Sequence, residues 1–425
     1  MMKEFDRIIG YNDVKAELER ICDIMINHDK YAKLGVTTPR GLLMHGVPGV
    51  GKTTMAKCLI EASKRPVFIC RKDKPDGDFI KEIKKQFEDA KNNAPSILFL
   101  DDMDKFANDD EYHKNSEEFV TVQSCIDDCK GIEVFILATA NDLKAIPKSL
   151  LRAGRFDKSI KINNPRLEDA AEIIKYYLSQ KKFVADIDYK ELAKILNGGS
   201  CAELETVINE AGVYAGFQNK DKIELDDILR AAMRVIFGAP ENLEETDEDE
   251  LLKIAYHEAG HAVIAEVLEP NSVSIVSVLS HTGNTGGVTA YNQGDKYWTS
   301  KKYMENRVIS LLGGKAATEI VYGEVDVGAN SDLHRAFDIV ERFTDDYCSN
   351  SFDRWEQDRS LSDQLISRRE MQISVEMENF FWKAKKILID NRELLDKLAR
   401  RLVEKKTLLN TEIQTIKATC KPNVA

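Results

Sequence analysis

Two groups of residues in this 425-residue chain have the types and spacing that chemistry needs. In His257-Glu258-Ala259-Gly260-His261 the two imidazoles lie four residues apart. On a helix that spacing puts them on one face, where both can ligate a single Zn2+. Glu258 lies beside them and can take a proton from a water that such a metal activates, whose pKa falls toward ~7. The resulting hydroxide attacks a scissile carbonyl. The second group, Gly46-Val47-Pro48-Gly49-Val50-Gly51-Lys52-Thr53, has the form G-x-x-x-x-G-K-[ST]. Its glycines let backbone N–H groups turn inward around a β-phosphate. Lys52 then neutralises β/γ charge, and Thr53, followed by Thr54, ligates Mg2+ at a helix start whose dipole favours the anion. A nucleotide-using device ahead of a peptide-cutting one points to energy-dependent proteolysis.

Each group needs further partners. Apolar residues flank the histidine motif (Leu251, Ile254, Val263, Ile264), so its helix is expected to be buried. Gly260 inside that helix costs about 1 kcal/mol against alanine, which implies that something packs closely there. No third histidine follows His261 closely, so a third metal ligand must come from His281, Glu319, Asp326, Asp332 or His334, and spacing alone does not choose. For the nucleotide, the apolar run Ile97–Leu100 ends in Asp101-Asp102-Met103-Asp104. There Asp101 would hold Mg2+ through water and Asp102 would orient the attacking water.

The elements that position these groups are legible from periodicity. Residues 41–160 alternate apolar runs of strand length (Gly41–His45, Pro66–Cys70, Ile97–Leu100, Val134–Leu137) with helical patterns such as Thr53–Ser63 and Phe79–Asn93. That alternation predicts a parallel sheet covered on both faces. From Leu167 the strands stop, and Leu167–Gln180, Tyr189–Leu196, Ala202–Phe217 and Leu225–Ile236 read as four helices. Glu241–Glu250 carries seven acidic side chains and only one aliphatic, and reads as a solvated linker. A third unit starts at Leu251, with strands near Val273–Leu279 and Gly287–Tyr291. Helices follow at Lys301–Leu312, Lys315–Tyr322, Asp332–Cys348 and Arg368 to about Arg401. The expected domains are thus 1–160, 161–238 and 251–425, with 239–250 as the linker.

Composition sets outer limits. With 43% hydrophobic and 31% charged residues the chain is globular, and its net charge of −12 argues against a nucleic-acid partner. Its eight cysteines form no C-x-x-C pairs, which fits a reducing compartment, here the cytoplasm. No stretch approaches the ~20 apolar residues needed to cross a bilayer.

Val134-Phe-Ile-Leu-Ala-Thr-Ala-Asn141 resembles the sensor strand of AAA+ ATPases, which ends in the asparagine that contacts the γ-phosphate. Leu150-Leu-Arg152-Ala-Gly-Arg155-Phe-Asp157 resembles that family's arginine-finger segment. The resemblance implies that Arg152 and Arg155 reach a neighbouring subunit's nucleotide in a ring, usually a homo-hexamer. Over its whole length the chain resembles the ATPase and protease parts of the FtsH-type AAA+ zinc proteases. The segments that carry this are Gly199–Leu204, Val207–Ala211, Tyr256–Ala262, Gly286–Thr289, Leu312–Gly323 and Gly328–Leu333. The implied fold is an α/β AAA+ module, a parallel sheet with a small helical lid, followed by a mainly α-helical zinc metalloprotease domain. The implied cofactors are Zn2+, ATP and Mg2+, the substrates are proteins, and Asp332 is the third zinc ligand. The strand near Gly287–Tyr291 would be the edge on which a substrate peptide lies.

Three departures from that family bear on function. Its members are usually anchored by transmembrane helices ahead of the ATPase, whereas this chain starts at the ATPase. Where they have glutamate, this chain has Asp102, roughly 1.5 Å shorter in reach, and a misplacement of that size can cost on the order of 10²-fold in rate. Where they have an aromatic-glycine pore loop, this chain has Pro75-Asp76-Gly77, with Phe79 able to substitute if the helix starts later. Beside the ATP-dependent endopeptidase, the same residues allow a zinc peptidase whose ring is a slow switch or scaffold. They also allow a remodelling ATPase with a structural zinc.

Overall fold

A computed structural model describes residues 3–36, 38–73, 76–107, 116–152, 154–236, 238, 247–279, 287–291, 300–324, 328–347 and 362–420. It divides into two units, Met1–Ala193 with Gly198–Leu225, and Lys194–Asn197 with Asp226–Ala425.

In the first unit α1 (Asn12–Ile26) and α2 (His28–Ala32) precede an alternating stretch. It runs β1 (Gly41–His45), α3 (Lys52–Ser63), β2 (Val67–Arg71), α4 (Asp76–Asn92), β3 (Ser96–Asp101), α5 (Ser116–Asp128), β4 (Val134–Ala140) and β5 (Lys158–Lys161). The strands form one sheet in the order β2-β3-β4-β1-β5, and every pairing is parallel. β1, β3 and β4 are buried along their whole length, because near-continuous aliphatic runs suit a sheet covered on both sides. α3 packs on β4, and α4 packs on β2 and β3. The apolar runs do not announce β5: Lys158-Ser159-Ile160-Lys161 has one apolar side chain and sits at the sheet edge beside β1.

α4 begins at Asp76, earlier than the apolar pattern suggests, and Phe79 is wholly buried with its ring edge-on to Phe106 at 5.1 Å. Phe79 is therefore core and cannot stand in as a pore aromatic; Pro75 lies outside the described residues. The expected helical block follows as α6 (Leu167–Ser179), α7 (Tyr189–Ile195), α8 (Cys201–Phe217) and α9 (Leu225–Val235). α8 opens with reciprocal capping. Ser200 Oγ accepts from Glu203 N at 3.3 Å, and Glu203 Oε2 accepts from Ser200 N at 2.7 Å.

The second unit is built around α10 (Glu248–Leu268). This helix starts three residues before Leu251, because Glu248, Asp249 and Glu250 sit in its first turn, where the helix dipole favours acids. Part of the acidic run is thus helix. β6 (Val273–Ser277) and β7 (Val288–Tyr291) follow, then α11 (Lys301–Leu311), α12 (Gly313–Tyr322), α13 (Asn330–Asp345), α14 (Asp363–Asp390), α15 (Arg392–Lys405), β8 (Thr407–Leu409) and α16 (Asn410–Ala418). The helix read as one from Arg368 to about Arg401 is two, broken at Asn391, whose Nδ2 donates to Ile387 O at 2.9 Å. The strands form a sheet ordered β7-β6-β8, both pairings antiparallel.

α10 is buried on nearly every side, against α11, α12, α14, α15 and β6. Its Glu266, wholly buried, accepts from Asn271 N and Val273 N (3.0 Å each), Gln414 Nε2 (2.8 Å) and Lys417 Nζ (3.2 Å). That cluster fixes the end of α10 to β6 and α16.

Candidate active sites

The nucleotide-type site of the first unit forms where β1, β3 and β4 end, the edge at which parallel α/β sheets hold ligands. Gly46, Gly49 and Gly51 have φ of 153°, 81° and 91°, left-handed values that glycine adopts without strain. A β-carbon on Gly46 would overlap the Ile162 carbonyl. Val47 and Pro48 complete the turn, Val50 is buried beneath it, and Gly51 leads into α3 at Lys52. Lys52, 6% exposed, donates to Gly46 O (2.7 Å), Val47 O (2.9 Å) and Asn141 Oδ1 (2.9 Å). Burial lowers its pKa from the usual lysine value, against the raising pull of Asp102, Asp104 and Asp101.

Thr53 Oγ1 donates to Asp101 Oδ1 at 3.2 Å, so two hard oxygen donors stand side by side, as a Mg2+ ion requires. Thr54, beside them, is exposed. Two residues that sequence reasoning passed over hold this cluster. Thr139, fully buried on β4, donates to Asp101 Oδ1 and accepts from Asp102 N, both at 2.9 Å. Asp104 Oδ2 accepts from Asn141 N at 3.1 Å, which ties the turn after β3 to the turn after β4. The loop also meets the helical block, where Ala202 N donates to Gly49 O at 3.0 Å.

Asp102 adopts a left-handed φ of 53°, and its Oδ2 accepts from Lys105 Nζ at 2.7 Å. The expected water-orienting carboxylate is thus paired with a lysine one turn on. The two candidate arginines differ. Arg152 is exposed. Arg155 is held within its own subunit, by Asp127 through Nε (3.2 Å) and Nη2 (2.8 Å) and by Ser149 O. Its hydrogen bond holds the Asp127 carboxyl well below the usual range, at about 2.

The metal-type site lies in the second unit. His257 and His261 on α10 meet Asp332 from α13. Their nearest atoms are 3.1 Å (Nε2 to Nε2), 3.4 Å (Asp332 Oδ2 to His257 Nε2) and 3.2 Å (Asp332 Oδ2 to His261 Nε2) apart. Tetrahedral ligands about 2.0–2.1 Å from a zinc ion are about 3.3 Å from one another, so this triangle fits the ion. Among the described residues it is the one such donor group. Of the alternatives, Glu319 is paired with Lys385 at 2.7 Å and His334 is exposed, while His281 and Asp326 lie outside the described residues.

Ser310 O lies 2.7 Å from His261 Nδ1, and a carbonyl can only accept, so Nδ1 carries the proton and Nε2 is left for a metal. Burial would raise the Asp332 carboxyl, but the two histidine rings beside it outweigh burial and hold it below the usual range. Glu258 is 6% exposed, and burial pushes its carboxyl up against the opposing pull of the histidines. Its Oε2 accepts from Thr289 Oγ1 on β7 at 2.7 Å. Glycines clear the space: a β-carbon on Gly287 would meet Glu258 Oε1 at 2.7 Å, and one on Gly314 would overlap the His257 ring.

Residues 42–164 match the ATPase family associated with various cellular activities, and residues 244–416 match peptidase family M41. A protein named ATP-dependent zinc metalloprotease FtsH 2, from Thermoanaerobacter sp. (strain X514), is 30% identical over 423 residues, spanning 97% of this chain and 82% of its own length. The chain belongs to the FtsH family. An FtsH 2 from Phytoplasma mali (strain AT) is 31% identical over 441 residues, 97% of this chain and 62% of its own. An FtsH 1 from Thermomicrobium roseum is 30% identical over 443 residues, 97% and 68%.

Within this FtsH-family chain, Thr289, Ser310 and Gly314 also escaped sequence reasoning as site residues. The Gly-Val-Thr and Leu-Gly-Gly phrases contain Thr289 and Gly314 and show that something is needed without showing what, while no such phrase contains Ser310. No helix among the described residues is long and apolar enough to cross a membrane.

Proposed function

We propose that this chain is an ATP-dependent zinc endopeptidase that degrades protein substrates as a homo-hexameric ring in the cytoplasm. Residues 1–160 and 161–238 would form its ATPase module and lid, and 251–425 its protease. The observation that carries the reading is the triangle of His257, His261 and Asp332, with Glu258 buried beside it. A zinc ion held by those three side chains would supply Lewis-acid activation of water and of the scissile carbonyl.

The protein's own groups do the rest. Glu258, its carboxylate steadied by Thr289, takes the proton of the attacking water and returns it to the leaving amine. β7 offers a strand edge that orients an extended peptide across that carboxylate. In the ATPase, Lys52, Thr53 and Asp101 would hold the nucleotide and Mg2+, Asn141 and Asp102 would act at the γ-phosphate, and Arg152 would act on the neighbour's nucleotide. Glu258→Gln should keep its zinc and lose cleavage of an unfolded protein by 10²-fold or more. Persistent cleavage by that zinc-replete variant would remove Glu258 from the mechanism.

A further inference from the structure

An arginine stands beside the Asp101 carboxylate of the nucleotide site. Arg71 closes β2 and Asp101 closes β3, and the two are direct partners in the parallel ladder. Asp101 Oδ1 accepts from the Thr53 and Thr139 hydroxyls. Its other oxygen, Oδ2, faces the Arg71 guanidinium, 3.9 Å from Nε. The chain just past Arg71 is held as well. Lys72 Nζ lies 3.3 Å from Oε2 of Glu118 on α5, a carboxylate side chain only 2% exposed. Ladder pairing and the Lys72 contact together place Arg71 at Asp101.

Lys52, Lys105 and Arg71 are not equally engaged. Lys52 donates to Gly46 O, Val47 O and Asn141 Oδ1, and Lys105 is paired with Asp102 at 2.7 Å. At 3.9 Å the Arg71 pair is ionic without a hydrogen bond, and the arginine side chain is 66% exposed. Exposed pairs of that kind hold their partners weakly, so Arg71 can turn to an arriving anion at little cost. Its planar fork of N–H donors suits phosphate oxygens. A positive charge at this place acts with two signs. It attracts a polyphosphate, and it repels a Mg2+ ion held by Thr53 and Asp101.

We propose that Arg71 is a further nucleotide-binding residue, a built-in cation that shields Asp101 in the empty site and binds the terminal phosphates of ATP, so that nucleotide affinity depends less on Mg2+ than Lys52, Thr53 and Asp101 alone would make it. The proposal rests on the ATPase reading. Its signature is the coupling between Mg2+ and nucleotide, measured as the ratio of nucleotide dissociation constants without and with Mg2+. Loss of the charge raises that ratio, because nucleotide alone loses an attraction while Mg2+ loses a repulsion. Loss of a purely structural side chain would weaken both states alike.

The test titrates the full zinc-loaded chain with a non-hydrolysable fluorescent ATP analogue, once with saturating Mg2+ and once with none. In Arg71→Gln the dissociation constant without Mg2+ should rise about 10-fold, the constant with Mg2+ should change far less, and their ratio should grow accordingly. Arg71→Lys keeps the charge and should return most of the wild-type ratio. Added salt screens an exposed charge, so the gap between wild type and Arg71→Gln should narrow as ionic strength rises. Equal weakening of Arg71→Gln with and without Mg2+, or no change in either, would overturn the assignment of Arg71 alone. If the wild-type chain binds the analogue in neither condition, the ATPase reading falls and Arg71's role with it.

Discussion

Gly260 of α10 and Gly313 of α12 touch backbone to backbone. A β-carbon on Gly313 would stand 2.7 Å from the Gly260 carbonyl oxygen, and one on Gly260 would come closer still to that of Gly313. The helix-propensity cost of Gly260 is what lets α12 approach the histidine face, and Gly314, next along, leaves room for the His257 ring. Glycine here is a spacing device for the candidate metal ligands.

Gly314→Ala should therefore lose metal although alanine favours helices by about 1 kcal/mol. Zinc affinity should fall on the order of 10–100-fold, the scale seen when a ligand's supporting partner is disturbed. Competition with a chelator measures it. Unchanged affinity with raised thermal stability would contradict the packing account.

Asp102, short by one methylene and paired with Lys105, should limit ATP turnover. Asp102→Glu should raise kcat for ATP, by up to about 10²-fold, with little change in nucleotide affinity. A steady-state ATPase assay reads both, and no gain in kcat would count against the geometry.

Thr139→Val removes one hydroxyl and leaves the Asp102 N–H without its acceptor, at a cost of about 1–3 kcal/mol. Because the same hydroxyl positions Asp101, ATPase activity titrated with Mg2+ should need about 10-fold more metal, and Thr139→Ser should restore it. If the valine variant matches wild type at low Mg2+, Thr139 is only core.

Arg152 and Arg155 should separate by experiment. Arg152→Ala subunits should be nearly inactive alone, yet regain ATPase activity when mixed with Lys52→Ala subunits, since each supplies what the other lacks. Arg155 is paired with Asp127 of its own chain. The Asp127 carboxyl, ordinarily near 3.8, is lowered to about 2 in the fold, so the pair contributes stability above pH 4 and loses it as pH falls toward 2. The thermal-midpoint gap between wild type and Asp127→Asn, about 2 °C at neutral pH for a pair this exposed, should close over that window. A gap that persists below pH 3 would assign the stability to something else.

The sequence made the sheet and the metal helix legible because burial on both faces leaves continuous apolar runs, and ligand spacing follows helix period. Lys158–Lys161 was hidden for the opposite reason: an edge strand needs little apolar surface. The break at Asn391 was hidden because apolar spacing continues across it into α15. Asp332 depended on family resemblance, since a ligand from another helix has no local period. Thr139, Thr289 and Ser310 act through single hydrogen bonds across strands and helices, and no linear pattern encodes those. The contrast between Arg152 and Arg155 was equally invisible, because only the position of Asp127 on α5 separates them.

Degradation of a stably folded substrate, beside an unstructured one, in zinc-loaded protein with and without ATP, decides whether this chain couples its two sites. ATP-driven proteolysis predicts that the folded substrate disappears only with ATP, and that Lys52→Ala abolishes this while sparing zinc binding. If only the unstructured substrate is cut, at a rate indifferent to ATP and to Lys52→Ala, the ring does not drive the protease and the proposed coupling is wrong.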